Sequence, residues 1–228
     1  MNSFSKKGTI SDFQDFASRV YALPDDRLYS IWDLLTQQQR FTMRALKSIR
    51  KDNIERIKIN LLISLSWLMA IANRLHINLE EDIWKRFPAM CSYCGSNSCV
   101  CKKEKPAKRK KVKIDNALRP KNLKETQEMF ATIYPPSGRT LAEAGIHLAE
   151  EMGELSEAIH NFLGQHLKNQ FNEIEIEMSD YLSCIFGVAN SAKINIAKEL
   201  EKIFYENCHI CHKAPCTCSF AFITELKT

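Results

Sequence analysis

The chain has 228 residues, of which 45% are hydrophobic and 9% aromatic, enough for one large or two small cores, which argues against a disordered chain. Its formal net charge of +5 is unevenly spread, because eight Lys/Arg against one Glu fall between Lys102 and Lys113 and the remainder is slightly acidic. The most apolar stretch, Leu61 to Ala72, is too short to cross a bilayer, and Lys6, Lys7, Asp12 and Asp15 interrupt the N-terminal segment where a secretory signal needs an apolar block, so a cytoplasmic protein with no membrane contact is expected.

An internal repeat organises the chain. Cys91, Cys94, Cys99 and Cys101 return as Cys208, Cys211, Cys216 and Cys218, each after a shift of 117. The same shift pairs Ala72-Asn73 with Ala189-Asn190 and Ile77-Asn78-Leu79 with Ile194-Asn195-Ile196. Further upstream a shift of 113 pairs Gln14 with Gln127, Tyr21 with Tyr134 and Leu28 with Leu141, so an insertion or deletion separates the two matched blocks. The chain reads as a tandem duplication: a first copy over residues 1–101, a basic linker over 102–122 with Pro106 and Pro120, and a second copy over 123–228. The linker is too polar to bury a core and is expected to be flexible.

In the second copy a helix is expected from Lys124 to Ile133, stopped by Pro135-Pro136-Ser137-Gly138. From Leu148 onward Met152, Leu155, Ile159 and Phe162 recur at alternating steps of four and three, the period of a one-sided helix. Ile174, Met178, Tyr181, Leu182, Ile185 and Ala189 mark a second such helix, whose stripe Phe186 and Val188 widen, and Asn195-Ile196 opens a third that runs through Phe204. No alternating strand pattern competes with these, so four helices per copy, packed as a bundle, are expected.

Two of these helices carry acidic pairs. Glu151 and Glu154 are three apart, as are Glu177 and Asp180, and a step of three keeps side chains on one helical face. Glu151 lies between Leu148 and Leu155, and Glu177 between Ile174 and Tyr181, so both border apolar stripes. Carboxylates facing a bundle interior are costly unless paired or bound to a cation, and no Lys or Arg within those turns is spaced to pair with them. A hard divalent cation, Mg²⁺ or Mn²⁺, would resolve the conflict; a solvated acidic face is the plainer reading.

The series Glu150-Glu151-x-x-Glu154 followed by Glu177-x-x-Asp180 resembles the EExxE…ExxD signature of the MazG-like all-α nucleoside triphosphate pyrophosphohydrolases. The resemblance extends through Leu155-Ser156-Glu157-Ala158-Ile159 and the Asn195-Ile196 helix start to Asn207. It implies an all-α fold of two tandem MazG-like bundles forming a pseudo-dimer, and hydrolysis of the α–β phosphoanhydride of an NTP or dNTP. It further implies that Glu151, Glu154, Glu177 and Asp180 hold Mg²⁺, that Glu150 is an outer partner or helps the attacking water, and that Asn207 touches substrate. Lys202 stands near the family's phosphate-contacting Lys, displaced by one position. Members of the family are dimers or tetramers, so a homo-oligomer, a dimer of pseudo-dimers, is expected. The first copy lacks the chemistry, with Asn60 and Ile63 at the positions of Glu177 and Asp180. It is expected to buttress the active copy and to lend a base-side contact from Trp32, Trp67 or Trp84, unless those tryptophans are core.

Both copies end in C-x2-C-x4-C-x-C, four thiols within eleven residues, the spacing of metal ligands rather than of a disulfide framework. A structural zinc knuckle is expected at Cys91, Cys94, Cys99 and Cys101 and another at Cys208, Cys211, Cys216 and Cys218, with an iron–sulfur cluster as the alternative. His209 and His212 are read as bystanders, since Ser92 and Gly95 replace them in the first copy, and Cys184 as a buried free thiol. A knuckle followed by Lys102-Lys103 and Lys108-Arg109-Lys110-Lys111 also suits weak nucleic-acid contact. The competing functional reading is therefore a zinc-dependent nucleic-acid-binding or regulatory protein on a catalytically silent scaffold.

Overall fold

The computed structural model describes residues 3–225, and the described residues form helices and loops with no strand. The first copy contributes α1 (Ile10–Leu28), α2 (Ile31–Arg50), α3 (Ile54–Leu75) and α4 (Leu79–Arg86). The second contributes α5 (Leu123–Ile133), α6 (Leu141–Gln165), α7 (Lys168–Ser191) and α8 (Ile196–Ile203), and a short α9 (Phe220–Glu225) follows. Each copy contributes four helices as expected, with α5 and α8 starting within a residue of the expected positions and α6 and α7 starting before the first apolar positions read, Leu148 and Ile174. Local chemistry fixes the starts: Thr9, Ser30 and Thr140 each close a capping box with Asp12, Asp33 and Glu143.

Compactness divides the chain differently from the repeat. One unit comprises Met1–Asn78 with Asn195–Thr228, the other Leu79–Ile194, whereas the sequence-based division fell at 101 and 123. The cuts come just after α3 and just after α7, at nearly equivalent positions of the two copies, so each copy's fourth helix and cysteine cluster pack with the other copy's first three helices.

In the first unit, α1, α2 and α3 surround a core that includes Phe13, Phe16, Leu34, Phe41 and Leu61, all nearly inaccessible. Ile196, Ala197 and Leu200 of α8 are buried in it, and the Phe204 ring lies 5.5 Å from Phe13 and 5.6 Å from Phe16. Lys58 of α3 pairs with Glu199 of α8 at 3.4 Å. The second cysteine cluster docks on α1, where the Cys216 amide donates to the Val20 carbonyl at 2.7 Å.

The second unit repeats the scheme. Ile83, Trp84 and Phe87, in and after α4, are buried against the α5–α7 core, with the Phe87 ring 5.1 Å from Phe130, which stacks on Phe186 at 5.2 Å. The Cys99 amide donates to the Ile133 carbonyl at 2.8 Å, and the Tyr134 hydroxyl donates to the Cys91 sulfur at 3.5 Å. Phe87 and Phe204 are equivalent under the 117 shift, as are Cys99 and Cys216, while Val20 and Ile133 are equivalent under the 113 shift. The exchange is therefore reciprocal in detail. Burial of each Phe is worth about 2–3 kcal/mol to the unit that receives it.

The 102–122 segment is fastened at several points rather than free. Lys105 and Arg109 lie over the Tyr93 ring at 4.8 and 5.8 Å, and the Lys110 amide donates to the Tyr93 carbonyl at 3.0 Å. Trp84 Nε1 donates to Asn116 at 3.0 Å, and Arg119 pairs with Glu80 at 3.6 Å and with Glu81.

Candidate active site

The acidic residues sit on the hairpin formed by α6 and α7, joined by His166 and Leu167 with His166 in the left-handed conformation (φ 57°). Leu148 and Leu155 on α6, and Ile174, Met178 and Tyr181 on α7, are fully buried, which turns the carboxylates between them inward. Glu151, Glu177 and Asp180 bring ligand oxygens within 4.8 Å of one another. Glu151 Oε2 and Glu177 Oε2 are shielded from solvent and have no hydrogen-bond partner among the described residues. Burial, followed by the charges of Asp180, Glu154 and Glu177, pushes Glu151 up to about 8. Burial, then Asp180 and Glu154, pushes Glu177 up to about 7.

Three oxygen donors this close, two with orphaned oxygens, fit a small hard divalent cation. The all-oxygen donor set suits Mg²⁺ or Mn²⁺ better than zinc. The set also contains a residue that sequence spacing did not single out. Arg86 at the end of α4 donates through Nε to Asp180 Oδ1 at 2.9 Å and through Nη2 to Oδ2 at 2.5 Å, both side chains being only 13% exposed. It also lowers the pKa of Glu151 and of Glu177. The repeat offered no signal for it, since the 117 shift places Ile203 at the equivalent position.

The other expected site residues fall elsewhere. Glu154 is exposed and outside the close trio, although its charge raises both Glu151 and Glu177. Glu150 is exposed, with the His147 ring nitrogen 3.5 Å away. Lys202 and Asn207 belong to the other compact unit, Lys202 pairing with Glu199 at 2.7 Å. Asn207 takes a left-handed conformation (φ 73°), which Asn tolerates better than most residues, so a backbone reason for it exists. Of the tryptophans, Trp84 is core at 4% exposure with its indole N–H bonded, Trp67 is half-buried, and Trp32 is 44% exposed.

The first copy has no counterpart to the trio among the described residues. Asn60 is buried and donates to the Arg56 carbonyl at 2.7 Å, Ile63 is core, and Gln38 donates to Thr42 at 3.3 Å. Amides and an isoleucine thus stand at the repeat positions of the carboxylates, Gln38 matching Glu151 under the 113 shift.

Each cysteine cluster gathers its four sulfurs within 4.8 Å, and all nine cysteines are free thiols. Cys91–Cys101 and Cys208–Cys218 lie at 3.9 Å, Cys211–Cys216 at 3.8 Å and Cys208–Cys216 at 3.4 Å. A tetrahedral zinc with Zn–S bonds of about 2.3 Å needs S–S edges of about 3.8 Å, so the clusters fit that ion. Cys184 is a buried free thiol, as expected, with burial and then Glu151 raising its pKa. His209 lies outside the cluster of ligand atoms, its Nδ1 3.3 Å from the Tyr21 hydroxyl.

Residues 139–214 match the family model described as a MazG nucleotide pyrophosphohydrolase domain. The matched stretch takes in α6, α7 and α8, includes every acidic residue of the site, and reaches Cys208 and Cys211. No curated protein and no solved structure matches the chain. No helix among the described residues is long and apolar enough to cross a membrane.

Proposed function

We propose that the chain is a metal-dependent nucleoside triphosphate pyrophosphohydrolase, converting an NTP or dNTP to the monophosphate and pyrophosphate. The observation that carries this reading is the convergence of Glu151, Glu177 and Asp180 to within 4.8 Å, with two shielded unpartnered oxygens, inside the stretch that matches the MazG family model. Mg²⁺ or Mn²⁺ bound there supplies neutralisation of phosphate charge and a more acidic water.

Glu151, Glu177 and Asp180 act as the cation's ligands, and Glu154 completes the set from the next turn of α6. Glu150, exposed beside them, steers the attacking water and accepts its proton. Water attack at the α-phosphorus breaks the bond to the α–β bridging oxygen, and pyrophosphate leaves with that oxygen. No covalent intermediate is needed. Zinc at the two four-cysteine clusters, a cytoplasmic location and assembly into a homo-oligomer belong to the same proposal.

Product identity tests the reaction. With ATP or dATP and Mn²⁺, phosphorus NMR should show monophosphate and pyrophosphate; diphosphate and inorganic phosphate would sink the α–β assignment. The binding-scaffold alternative draws on the basic 102–113 segment, and it predicts that neutralising Lys108–Lys111 abolishes function while Glu151→Gln leaves it intact.

A further inference from the structure

Arg86 reaches the acidic site from the last helix of the copy that lacks carboxylates. It holds both oxygens of Asp180 at 2.9 and 2.5 Å while only 13% exposed. Only Nε and Nη2 are engaged; Nη1 donates to no described residue and keeps contact with solvent, while the side chain as a whole is 13% exposed. A guanidinium with idle donors in a sheltered place is suited to an anion, and its planar fork matches phosphate as well as it matches carboxylate.

The partner it holds matters equally. Asp180 is one of three residues gathered for a cation, so the Arg86 charge and an incoming divalent ion compete for the same carboxylate. Two positive charges near one carboxylate repel unless an anion joins them. We infer that Arg86 is a phosphate-anchoring residue lent by the degenerate copy, exchanging Asp180 for a substrate phosphate when the cation binds. This rests on the pyrophosphohydrolase reading, and it gives the degenerate copy a direct part in the site. Phe87, Trp84 and Ile83 seat α4 in the core, and the first cysteine cluster holds the following chain on α5. The basic group is thereby delivered on a rigid mount rather than a loop.

The test is binding by full-length Arg86→Ala, with Arg86→Lys beside it, using Mn²⁺ alone and then inorganic pyrophosphate at saturating Mn²⁺, by calorimetry. Because the arginine competes with the cation but assists the anion, the two affinities should move in opposite directions. Arg86→Ala should bind Mn²⁺ about tenfold more tightly and pyrophosphate at least tenfold more weakly, with Arg86→Lys between it and wild type. Tighter Mn²⁺ with unchanged pyrophosphate would make Arg86 a mere counter-ion and overturn the inference. Weakening of both, with a lowered melting temperature, would make it a brace for Asp180 and overturn it equally. Opposed shifts in a protein that hydrolyses no nucleotide would sustain the anion role of Arg86 while refuting the enzymatic reading.

Discussion

Arg86 and Asp180 are joined by two hydrogen bonds, at 2.9 and 2.5 Å, although they lie on the two sides of the sequence repeat. That pairing is one contact in a reciprocal exchange, in which α4 and the first cysteine cluster complete the unit built on α5–α7 while α8 and the second cluster complete the unit built on α1–α3.

The exchange makes a truncation prediction. Removing residues 1–101 takes away α4 together with the buried Phe87 and Trp84, and uncovers the Phe130 ring against which Phe87 packs. Fragment 102–228 alone should aggregate or bind a hydrophobic dye, whereas co-expression with 1–101 should give a soluble two-fragment complex on size exclusion. A soluble, well-folded 102–228 would contradict the exchanged packing.

Cation binding should be coupled to proton release. Glu151 at about 8 and Glu177 at about 7 both stand above the ordinary value of 4.5. In the metal-free protein their contribution therefore favours folding below that value and is lost as pH rises through 7 to 8. Cation binding needs the ionised forms, so Mn²⁺ affinity should climb between pH 6 and 8, by about tenfold per pH unit for each proton displaced. Calorimetry at pH 7 in buffers of different ionisation enthalpy counts those protons; a count of zero would rule out the arrangement.

A separate pH effect comes from the first copy. Asp25 is buried and pushed up to about 7, chiefly by burial, with Arg74 opposing and Asp26 adding to the rise. A raised carboxylate stabilises the fold below its unfolded value of 3.8 and loses that contribution as pH passes through 7. Asp25→Asn should thus gain on wild type as pH rises from 5 to 9, by about 2 kcal/mol or roughly 5 °C in melting temperature. Parallel melting curves for the two proteins across that range would refute it.

The cysteine clusters should hold two zinc ions per chain by metal analysis, and chelation should unlock both docking contacts. Cys94→Ser should cost more than a surface change because the first cluster fastens the segment after α4 to Ile133 and Tyr134. A loss of roughly 10 °C in melting temperature is expected, along with weaker Mn²⁺-dependent pyrophosphate binding through the displaced Arg86.

Much of the fold was legible in the residues. The 3.6-residue periodicity of α6 and α7 placed the helices, and spacings of three placed Glu151, Glu177 and Asp180 beside their apolar stripes. The exchange was not legible, because the repeat marks where a copy ends in sequence, not which core its last helix closes. Arg86 was hidden for a related reason. Its partner lies 94 residues away, beyond any helical spacing, and its repeat equivalent is Ile203. Lys202 and Asn207 were inferred from family order along one copy, an order that the exchange assigns to the other compact unit.

The decisive experiment measures pyrophosphate release from a panel of NTPs and dNTPs with Mg²⁺ or Mn²⁺, on wild type and on Glu177→Gln. Cation-dependent release is expected with at least one nucleotide, falling by a factor of about 100 or more in the variant. Equal release by the two proteins, or none from any nucleotide by a folded, zinc-loaded wild type, would refute the pyrophosphohydrolase assignment.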